Sequence, residues 1–265
     1  ADQGGLKLLK KGYRFLRSLV RGKSVDEAAL CFQVLRAESS RGVMFDIGAH
    51  HGGALARFVK AGWEVYAFEP DPNNRKVLEE KFEEEETVHI DPRAVSNKSD
   101  RDVVFFQSLE SSGLSTLSAF HASHQKSGKV DITTLEAFFK ENDLWGKKVD
   151  FLKVDTEGYD LFVLQGIPWK RIKPRLVLCE FEDNKTRALG YTFHELAAYL
   201  EEKGYQLIVS EWYPIQNYGQ SHRWRRYCQY PCELRDDQAW GNILASYDSR
   251  IIDSLLRMCK LPTAQ

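Results

Sequence analysis

The sequence has little cysteine and no excess of charge of either sign. Only five cysteines occur among 265 residues, with no CxxC pair, which argues against a disulfide framework or a zinc ribbon. We therefore expect scattered buried thiols and a reducing compartment, the cytoplasm. Lys plus Arg (37) balance Asp plus Glu (38), so the basic excess typical of nucleic-acid-binding proteins is missing and no such partner is expected.

Long apolar runs are also missing. No stretch approaches the ~18 residues that cross a bilayer, and no signal-peptide pattern opens the chain, so no transmembrane segment is expected. The chain starts at Ala1 rather than methionine, which leads us to expect a processed end or a domain of a longer protein. The hydrophobic fraction of 43% is enough for the core of one large α/β domain.

Short apolar stretches alternate with helical patterns along the chain. Strands are predicted at 42–47, 65–68, 88–90, 103–107, 149–154, 176–181, 205–210 and 242–246. Strands separated by helices indicate βαβ units and a largely parallel sheet covered on both faces. The Ser- and Gly-rich residues 108–130 are predicted to form a loop.

Three regions follow from this pattern. Apolar residues recur at helical spacing through 6–36, which predicts an N-terminal helical cap over residues 1–40. The main domain is predicted over 41–250, and a C-terminal helix or tail over 251–265.

The first turn between a strand and a helix, DIGAHHGG at 46–53, is rich in glycine, and Glu69 ends the second strand. A carboxylate about 20 residues beyond a glycine turn is placed to bind the ribose hydroxyls of an adenosine cofactor. The turn lacks the GxGxxG spacing of dinucleotide sites. Asp46 would repel a pyrophosphate and attract the sulfonium and ammonium of S-adenosylmethionine. This favours S-adenosylmethionine, although Asp46 as a helix cap in a simple tight turn is an alternative.

Further blocks of sequence point the same way. The chain carries FDIGAHHG at 45–52, FEPDP at 68–72, TLE at 134–136, and FLKVDTEGYD at 151–160 followed by VLQG at 163–166. Together these blocks resemble the FkbM family of S-adenosylmethionine-dependent methyltransferases, over roughly residues 41–210. One departure is His50, where the family usually carries asparagine. A histidine can still form a hydrogen bond near the methionine part of the methyl donor.

The resemblance implies a fold, a reaction and a donor site. The implied fold is an α/β, Rossmann-like methyltransferase with a mostly parallel seven-stranded sheet, helices on both faces and the N-terminal helical cap. The implied reaction is methylation of a sugar hydroxyl on a glycan or glycoconjugate precursor, with glycosyltransferase domains or partners as companions. The predicted cofactor-binding residues are Asp46, Gly48, Ala49, His50, Gly52, Glu69, Pro70, Asp71, Arg93, Ala94 and Asp155.

Acidic residues follow the strands that should end beside this turn. An alcohol needs a base, or a metal that lowers its pKa, before it attacks a methyl group. Asp155 is the favoured base, because strand ends face the crevice. The further catalytic candidates are Glu157, Glu180 and His124. Glu157 has an alternative role as a helix-start carboxylate, and a loop histidine is often simply solvated. Oxygen ligands suit Mg²⁺, but exposed acids are common, so a metal is not favoured.

The C-terminal segment is dense in aromatic and arginine residues, with EWYP at 211–214 and HRWRRY at 222–227. Aromatic rings stack on sugars, and arginine binds phosphate or carboxylate. The predicted substrate-binding residues are Trp212, Tyr213, His222, Arg223, Trp224 and Arg225. The alternative is that these aromatic residues pack over the end of the sheet while the arginines stay in water.

Two other functions remain open from the sequence. One is a dinucleotide-dependent oxidoreductase. The other is a non-catalytic glycan- or partner-binding domain on a methyltransferase scaffold. The intact acids Asp46, Glu69 and Asp155 argue against loss of catalysis.

Overall fold

Two β-sheets organise the chain in the computed structural model, which describes residues 25–108, 124–215 and 222–262, without the side chains of 107–108 and 124–127. The strands are β1 (Val43–Ile47), β2 (Glu64–Phe68), β3 (Val88–Asp91), β4 (Ala94–Val95), β5 (Asp100–Ser108), β6 (His124–Thr133), β7 (Phe151–Val154), β8 (Leu176–Glu182), β9 (Gln206–Trp212), β10 (Trp224–Gln229) and β11 (Trp240–Ser246).

The helices are short, and several of them begin at a side-chain cap. They are α1 (Glu27–Glu38), α2 (Ala56–Lys60), α3 (Pro72–Lys81), α4 (Leu135–Glu141), α5 (Asp160–Gln165), α6 (Asp183–Thr186), α7 (Phe193–Glu202) and α8 (Ser249–Cys259). Asp26, Asp71 and Asp248 each accept a backbone N–H at the start of α1, α3 and α8, as N-cap residues do. Across the described ranges, every helix is too short or too polar to span a bilayer.

The central sheet has the strand order β10-β9-β11-β8-β7-β1-β2-β3. Neighbours from β8 to β3 are parallel, whereas β11 is antiparallel to both β8 and β9, and β10 is antiparallel to β9. The sheet is therefore mixed and has eight strands, so the predicted mostly parallel seven-stranded sheet is wrong. The extra strand is β10, whose sequence WRRYCQ lacks an alternating apolar pattern and was interpreted as a binding segment.

A second, small sheet has the order β4-β6-β5. It includes residues 124–130, which were predicted to be loop. The sequence of β6, HQKSGKVDIT, is polar and contains glycine, so it carries little strand signal. Antiparallel pairing with β5 supplies the backbone hydrogen bonds that fix it as a strand.

Side chains of the central strands alternate between two hydrophobic clusters. In β1, Phe45 and Ile47 join the cluster formed with α4, α5 and α7, and Met44 joins the cluster formed with α1, α2 and α8. The period of two in a strand sends neighbours to opposite faces, so the predicted helices on both faces are confirmed. Helix α1 lies within the predicted cap; residues 1–24 of that cap lie outside the described residues.

The strand order reverses between β1 and β7. From β1 the chain proceeds outward to β2 and β3, and it later returns to β7, the other neighbour of β1. Ligands of such sheets bind beyond the carboxyl ends of the strands at this switch point. The segments there are the glycine turn 48–53 after β1, Glu69 after β2, and residues 155–158 after β7.

Candidate active site

The turn after β1 passes directly against the end of β7. Gly48 has a left-handed φ of +82°, and a Cβ on it would lie 1.9 Å from the carbonyl oxygen of Asp155. The N–H groups of Gly48 and Ala49 both donate to the carbonyl oxygen of Phe68 at 3.0 Å. Farther along, a Cβ on Gly52 would lie 2.4 Å from the ring of Phe82. The turn therefore needs glycine at position 48, both for its dihedral angles and for its space.

Gly48→Ala is expected to lower the free energy of unfolding by at least about 2 kcal/mol, because the new methyl group would collide with backbone at a left-handed residue. Gly53→Ala is the matched control, since a Cβ at Gly53 meets no atom within 4 Å. That change should stay within about 0.5 kcal/mol. Urea unfolding measures both, and equal midpoints for the two variants would contradict the close approach of the two strand ends.

Glu69 anchors the same turn from the end of β2. Its buried carboxylate accepts the N–H of His50 at 2.6 Å through Oε2 and the N–H of Asp71 at 2.9 Å through Oε1. Burial raises the pKa of Glu69 to about 7, although these two hydrogen bonds oppose the rise. A carboxylate has about four acceptor positions, so two remain for hydroxyl groups of a ligand.

The remaining residues predicted to bind the cofactor surround Glu69. Asp71 accepts the N–H groups of Asn73 and Asn74 and caps α3. His50 is half-buried, and burial lowers the pKa of its ring, which favours the neutral imidazole. Its ring stacks on His51 with centroids 3.8 Å apart.

A cavity of about 350 Å³ lies between the turn after β2 and the small sheet. Its lining includes Pro70, Arg93 and Phe105. Arg93 is held by Asp91 and by Glu141, each at 2.8 Å. The structure therefore brings Pro70 and Arg93 together, and Ala94 follows directly, buried at the start of β4.

Lys153 on β7 is a residue that sequence reasoning missed. Its Nζ lies 3.1 Å from Asp46 Oδ1 and 3.3 Å from Asp155 Oδ2, and it donates to the carbonyl oxygen of Gly48 at 3.1 Å. Burial lowers the pKa of Lys153, but the two carboxylates outweigh it and the net direction is upward. One ammonium group thus joins the ends of β1 and β7.

The two carboxylates on Lys153 differ in exposure. The side chain of Asp46 is 0% exposed, and burial raises its pKa while Lys153 opposes the rise. The side chain of Asp155 is 42% exposed and faces the crevice. The carboxylate of Asp46 is therefore closed to solvent behind Lys153, whereas the carboxylate of Asp155 is accessible.

A second buried lysine organises the acids after β7 and β8. Lys185 of α6 places its Nζ 2.6 Å from Glu157, 3.0 Å from Glu180 and 2.8 Å from Glu182. Burial raises the pKa of both Glu157 and Glu180, and Lys185 opposes the rise. Glu157 also has a left-handed φ of 54°, a conformation that is costly for a non-glycine residue and is frequent at functional sites. Sequence reasoning missed Lys185 because it follows the strand within a charged stretch.

Three acids near the ends of β7 and β8 lie close enough together to hold a cation. Oxygen atoms of Asp155, Glu157 and Glu180 lie within 4.8 Å of one another. The ammonium of Lys185 already binds two of these three side chains. A resident cation thus balances part of the acidic charge, and Mg²⁺ stays an unfavoured prediction.

The predicted substrate segment separates into two groups. In the first, Trp212 is buried and donates its Nε1–H to Glu27 at 2.8 Å. Arg225 donates to Glu211 at 2.9 Å, and Trp224 is half-buried in β10. These three side chains therefore pack or pair within the antiparallel edge of the sheet.

The second group lies at the end of this edge. The rings of His222 and Trp240 lie 5.0 Å apart in an edge-to-face arrangement. The guanidinium carbon of Arg223 lies 3.7 Å from the centroid of the Tyr213 ring. Tyr213, His222 and Arg223 are thus the predicted substrate residues that the structure places at the mouth of the crevice.

His124 opens β6, and its side chain lies outside the described part of the chain, as does all of residues 109–123. Its catalytic role therefore stays a prediction.

The comparison with protein families decides the identity of the main domain. The sequence profile described as Methyltransferase FkbM domain matches residues 46–207. The chain belongs to the FkbM methyltransferase family. The FkbM match includes the glycine turn, Glu69, Lys153 and the acids around Lys185. It ends within β9, so β10, β11 and α8 lie beyond it.

Solved structures add distant likenesses to this FkbM domain. A precorrin-6y C5,15-methyltransferase from Geobacter metallireducens GS-15 is 12% identical, with a TM-score of 0.41 over 83% of this chain and 86% of that one. An rRNA methylase from Streptococcus thermophilus is 9% identical, with a TM-score of 0.42 over 83% and 93%. A TehB-like SAM-dependent methyltransferase from Corynebacterium glutamicum is 10% identical, with a TM-score of 0.39 over 92% and 100%. At these scores the likeness says nothing about what this chain acts on. No protein of curated function matches the chain in sequence.

Proposed function

We propose that the chain is an S-adenosylmethionine-dependent O-methyltransferase that methylates a sugar hydroxyl of a glycan or glycoconjugate precursor. One observation supports the donor beyond family membership. At the switch point, each buried lysine is outnumbered by carboxylates: Lys153 by Asp46 and Asp155, and Lys185 by the three glutamates around it.

This charge balance favours one of the two kinds of adenosine cofactor. Opposite charges a few ångströms apart attract strongly in a partly buried site. An acidic crevice therefore suits the sulfonium and ammonium groups of S-adenosylmethionine and opposes the pyrophosphate of a dinucleotide. Among the described residues, both lysines at the switch point are already paired, so neither is available to a pyrophosphate. The oxidoreductase alternative loses support.

The residues present fit the donor. The carboxylate of Glu69 retains acceptor positions for ribose hydroxyls, and Pro70 and Arg93 line the adjoining cavity. The exposed carboxylate of Asp155 supplies negative charge at the same edge of the sheet. When bound, S-adenosylmethionine supplies an electrophilic methyl group on a positively charged sulfur.

The chain itself must orient the acceptor and remove its proton. We assign the removal of the hydroxyl proton to the exposed carboxylate of Asp155, whose Oδ2 lies 3.3 Å from Nζ of Lys153. Lys153 is itself fixed by Asp46 and by the carbonyl oxygen of Gly48, so the carboxylate is positioned relative to the glycine turn. Positioning and general-base catalysis are the protein's main contributions to such a displacement.

The direct test is methyl transfer from S-adenosylmethionine labelled in its methyl group to a panel of sugars, nucleotide sugars and glycans. We expect label in a methyl ether of one acceptor class, seen as a mass gain of one methylene group. Glycosyltransferase products are the natural panel, since a glycosyltransferase domain or partner would supply the acceptor. Label on nitrogen or carbon, or on RNA but on no glycan, would contradict the proposal.

Donor affinity is expected to fall as pH is lowered through 7. Glu69 binds ribose hydroxyls as an acceptor, and its pKa is raised by burial to about 7, so protonation removes acceptor positions. If only the carboxylate form binds, affinity at pH 5.5 should be about 30-fold weaker than its high-pH limit. Calorimetry from pH 5.5 to 8.5 measures this.

Glu69→Gln is the control for this pH profile, because an amide does not titrate. Its affinity for the donor should be weaker than that of the wild type at pH 8.5 and nearly constant across the range. If the donor affinity of the wild type varied with pH as little as that of Glu69→Gln, Glu69 would not be a donor-binding residue.

A further inference from the structure

Two arginines at the start of β10 lie against the same ring, that of Tyr213, with guanidinium carbons 3.7 Å (Arg223) and 4.1 Å (Arg225) from its centroid, but they differ in their ion pairs. Arg225 is paired, with Nη1 2.9 Å from Glu211 and Nη2 3.8 Å from Asp236. Within the part of the chain that the structure describes, Arg223 makes no ion pair with a carboxylate. Besides the ring contact of its guanidinium, Arg223 is tied to Tyr213 through the backbone, because its carbonyl oxygen accepts the N–H of Tyr213 at 3.0 Å. Arg223 is thus held in place, and among the described residues its charge has no acidic partner.

The position of Arg223 relates it to the candidate active site. Tyr213 follows β9 at the carboxyl edge of the sheet, and Trp212 is aligned through Trp240 of β11 with Glu182 of β8. Two strand spacings separate β9 from β8, or about 10 Å. His222, next to Arg223, packs its ring on Trp240 between the two. Arg223 therefore lies at the mouth of the same crevice, at the carboxyl edge of the sheet and about two strand spacings from the strand that leads to the acids around Lys185.

We infer that Arg223, stacked on Tyr213, binds a phosphate or carboxylate group of the acceptor. The planar fork of a guanidinium matches such oxyanions, and stacking pre-organises it. The acids around Lys185 would repel an anion, so the anionic group must lie at the mouth, about 10 Å from the carboxyl end of β8. The acceptor is then a sugar derivative that is negative at one end and neutral at the hydroxyl that is methylated. This inference rests on the proposed function for the identity of the ligand as an acceptor.

Binding of simple anions tests the inference without any turnover. Calorimetry or ligand-observed NMR with pyrophosphate and with glucuronate, in the absence of donor, should detect binding of at least one. Arg223→Gln should weaken it about tenfold, and Arg223→Lys should be intermediate, because lysine keeps the charge but not the fork. Tighter binding of pyrophosphate would indicate a phosphate group on the acceptor, and tighter binding of glucuronate would indicate a carboxylate. Arg101→Gln removes another exposed arginine, on β5, and should leave binding unchanged.

Failure of this inference and failure of the proposed function are distinguishable. Anion binding that is absent, or equal in the wild type and Arg223→Gln, overturns the role of Arg223 even if S-adenosylmethionine binds and a neutral sugar is methylated. Conversely, anion binding that depends on Arg223 in a protein that binds no S-adenosylmethionine would support an anion site and overturn the proposed reaction.

A separate observation concerns two of the five cysteines. Cys31, Cys179 and Cys259 are buried, as expected for scattered thiols. Cys228 and Cys232 are only half-buried, and their Sγ atoms lie 3.1 Å apart. Adjacent accessible thiols of this kind are suited to thiol–disulfide exchange.

We propose that Cys228 and Cys232 form a reversible disulfide with a small-molecule disulfide such as glutathione disulfide as oxidant. One thiolate attacks glutathione disulfide and releases one glutathione thiolate; the second cysteine thiolate then displaces the second glutathione. The products are one protein disulfide and two reduced glutathione molecules. This bond would link β10, which contains Cys228, to the turn after it, which contains Cys232.

Thiol titration and intact mass test this pair. The folded wild type is equilibrated with glutathione disulfide and is then unfolded for the titration. It should show three titratable thiols instead of five and a mass lower by two hydrogens. Cys228→Ser should retain all of its other thiols or carry one glutathione adduct. Five titratable thiols in the treated wild type, or a stable glutathione adduct on it, would overturn the pairing.

Discussion

Replacing Asp155 with asparagine is expected to lower turnover by about 10²–10⁴-fold, the range for loss of a general base. Donor affinity should change by less than about tenfold, because Glu69 and the glycine turn remain. Asparagine keeps the size of the side chain and can still accept a hydrogen bond from Lys153, so the fold should persist. Single-turnover rates together with calorimetric donor affinities separate the two effects. Asp253 lies half-exposed on α8. Asp253→Asn is therefore the matched control and should leave the turnover rate and the donor affinity unchanged.

A near-normal rate in Asp155→Asn would contradict this assignment. The proton acceptor would then be sought among Glu157 and Glu180, whose pKa values burial raises, and His124. If the rate and the donor affinity collapsed together, Asp155 would be a donor-binding residue rather than the base.

Replacing Lys185 with methionine is expected to cost about 3–5 kcal/mol of unfolding free energy near neutral pH, as removal of one partner from a buried ion pair does. Three glutamates would be left close together without their shared cation. The cost should shrink at pH 5. Burial already raises the pKa of Glu157 and Glu180, and loss of Lys185 raises it further, so these carboxyls become neutral at low pH and no longer repel one another.

Urea unfolding at pH 8 and pH 5 measures this difference. Lys140→Met, at an exposed position on α4, is the matched control and should be nearly neutral at both pH values. If Lys185→Met does not fold at pH 8, the variant that also carries Glu180→Gln and Glu182→Gln should recover stability, because the uncompensated charges are gone. A pH-independent loss, or no recovery in the combined variant, would contradict the electrostatic role of Lys185.

The parallel half of the fold could be predicted because its strands bury both faces. The stretches around Phe45, Ala67, Leu152 and Val177 are mostly apolar, with Asp46 and Lys153 as charged exceptions, and each is followed by a helical pattern. Such runs are typical of buried parallel strands. Strands β6 and β10 could not be found this way, because their residues are polar and gain their conformation from antiparallel partners. Tertiary pairing decides such segments rather than local preference.

The carboxylates of the site were predicted and the two lysines were not. A lysine in a strand or beside an acidic run is normally a surface residue, so neither Lys153 nor Lys185 attracted attention. A signal existed for Lys153. Residues 151 and 153 share one face of β7 and Asp155, directly after the strand, continues the same spacing of two. Asp46 lies opposite Lys153 in the register with β1. Two carboxylates on the same buried face as one lysine predict an ion pair. For Trp212 and Arg225, composition alone could not distinguish packing from ligand binding.

The central claim is that the switch point binds S-adenosylmethionine through Glu69, and calorimetric titration tests it most directly. The purified protein should bind S-adenosylmethionine at one site per chain and should not bind NAD. Glu69→Ala should weaken donor binding by about one to two decades, the cost of a lost charge-assisted hydrogen bond. Binding of NAD in place of S-adenosylmethionine, or unchanged donor affinity in a folded Glu69→Ala protein, would contradict the account.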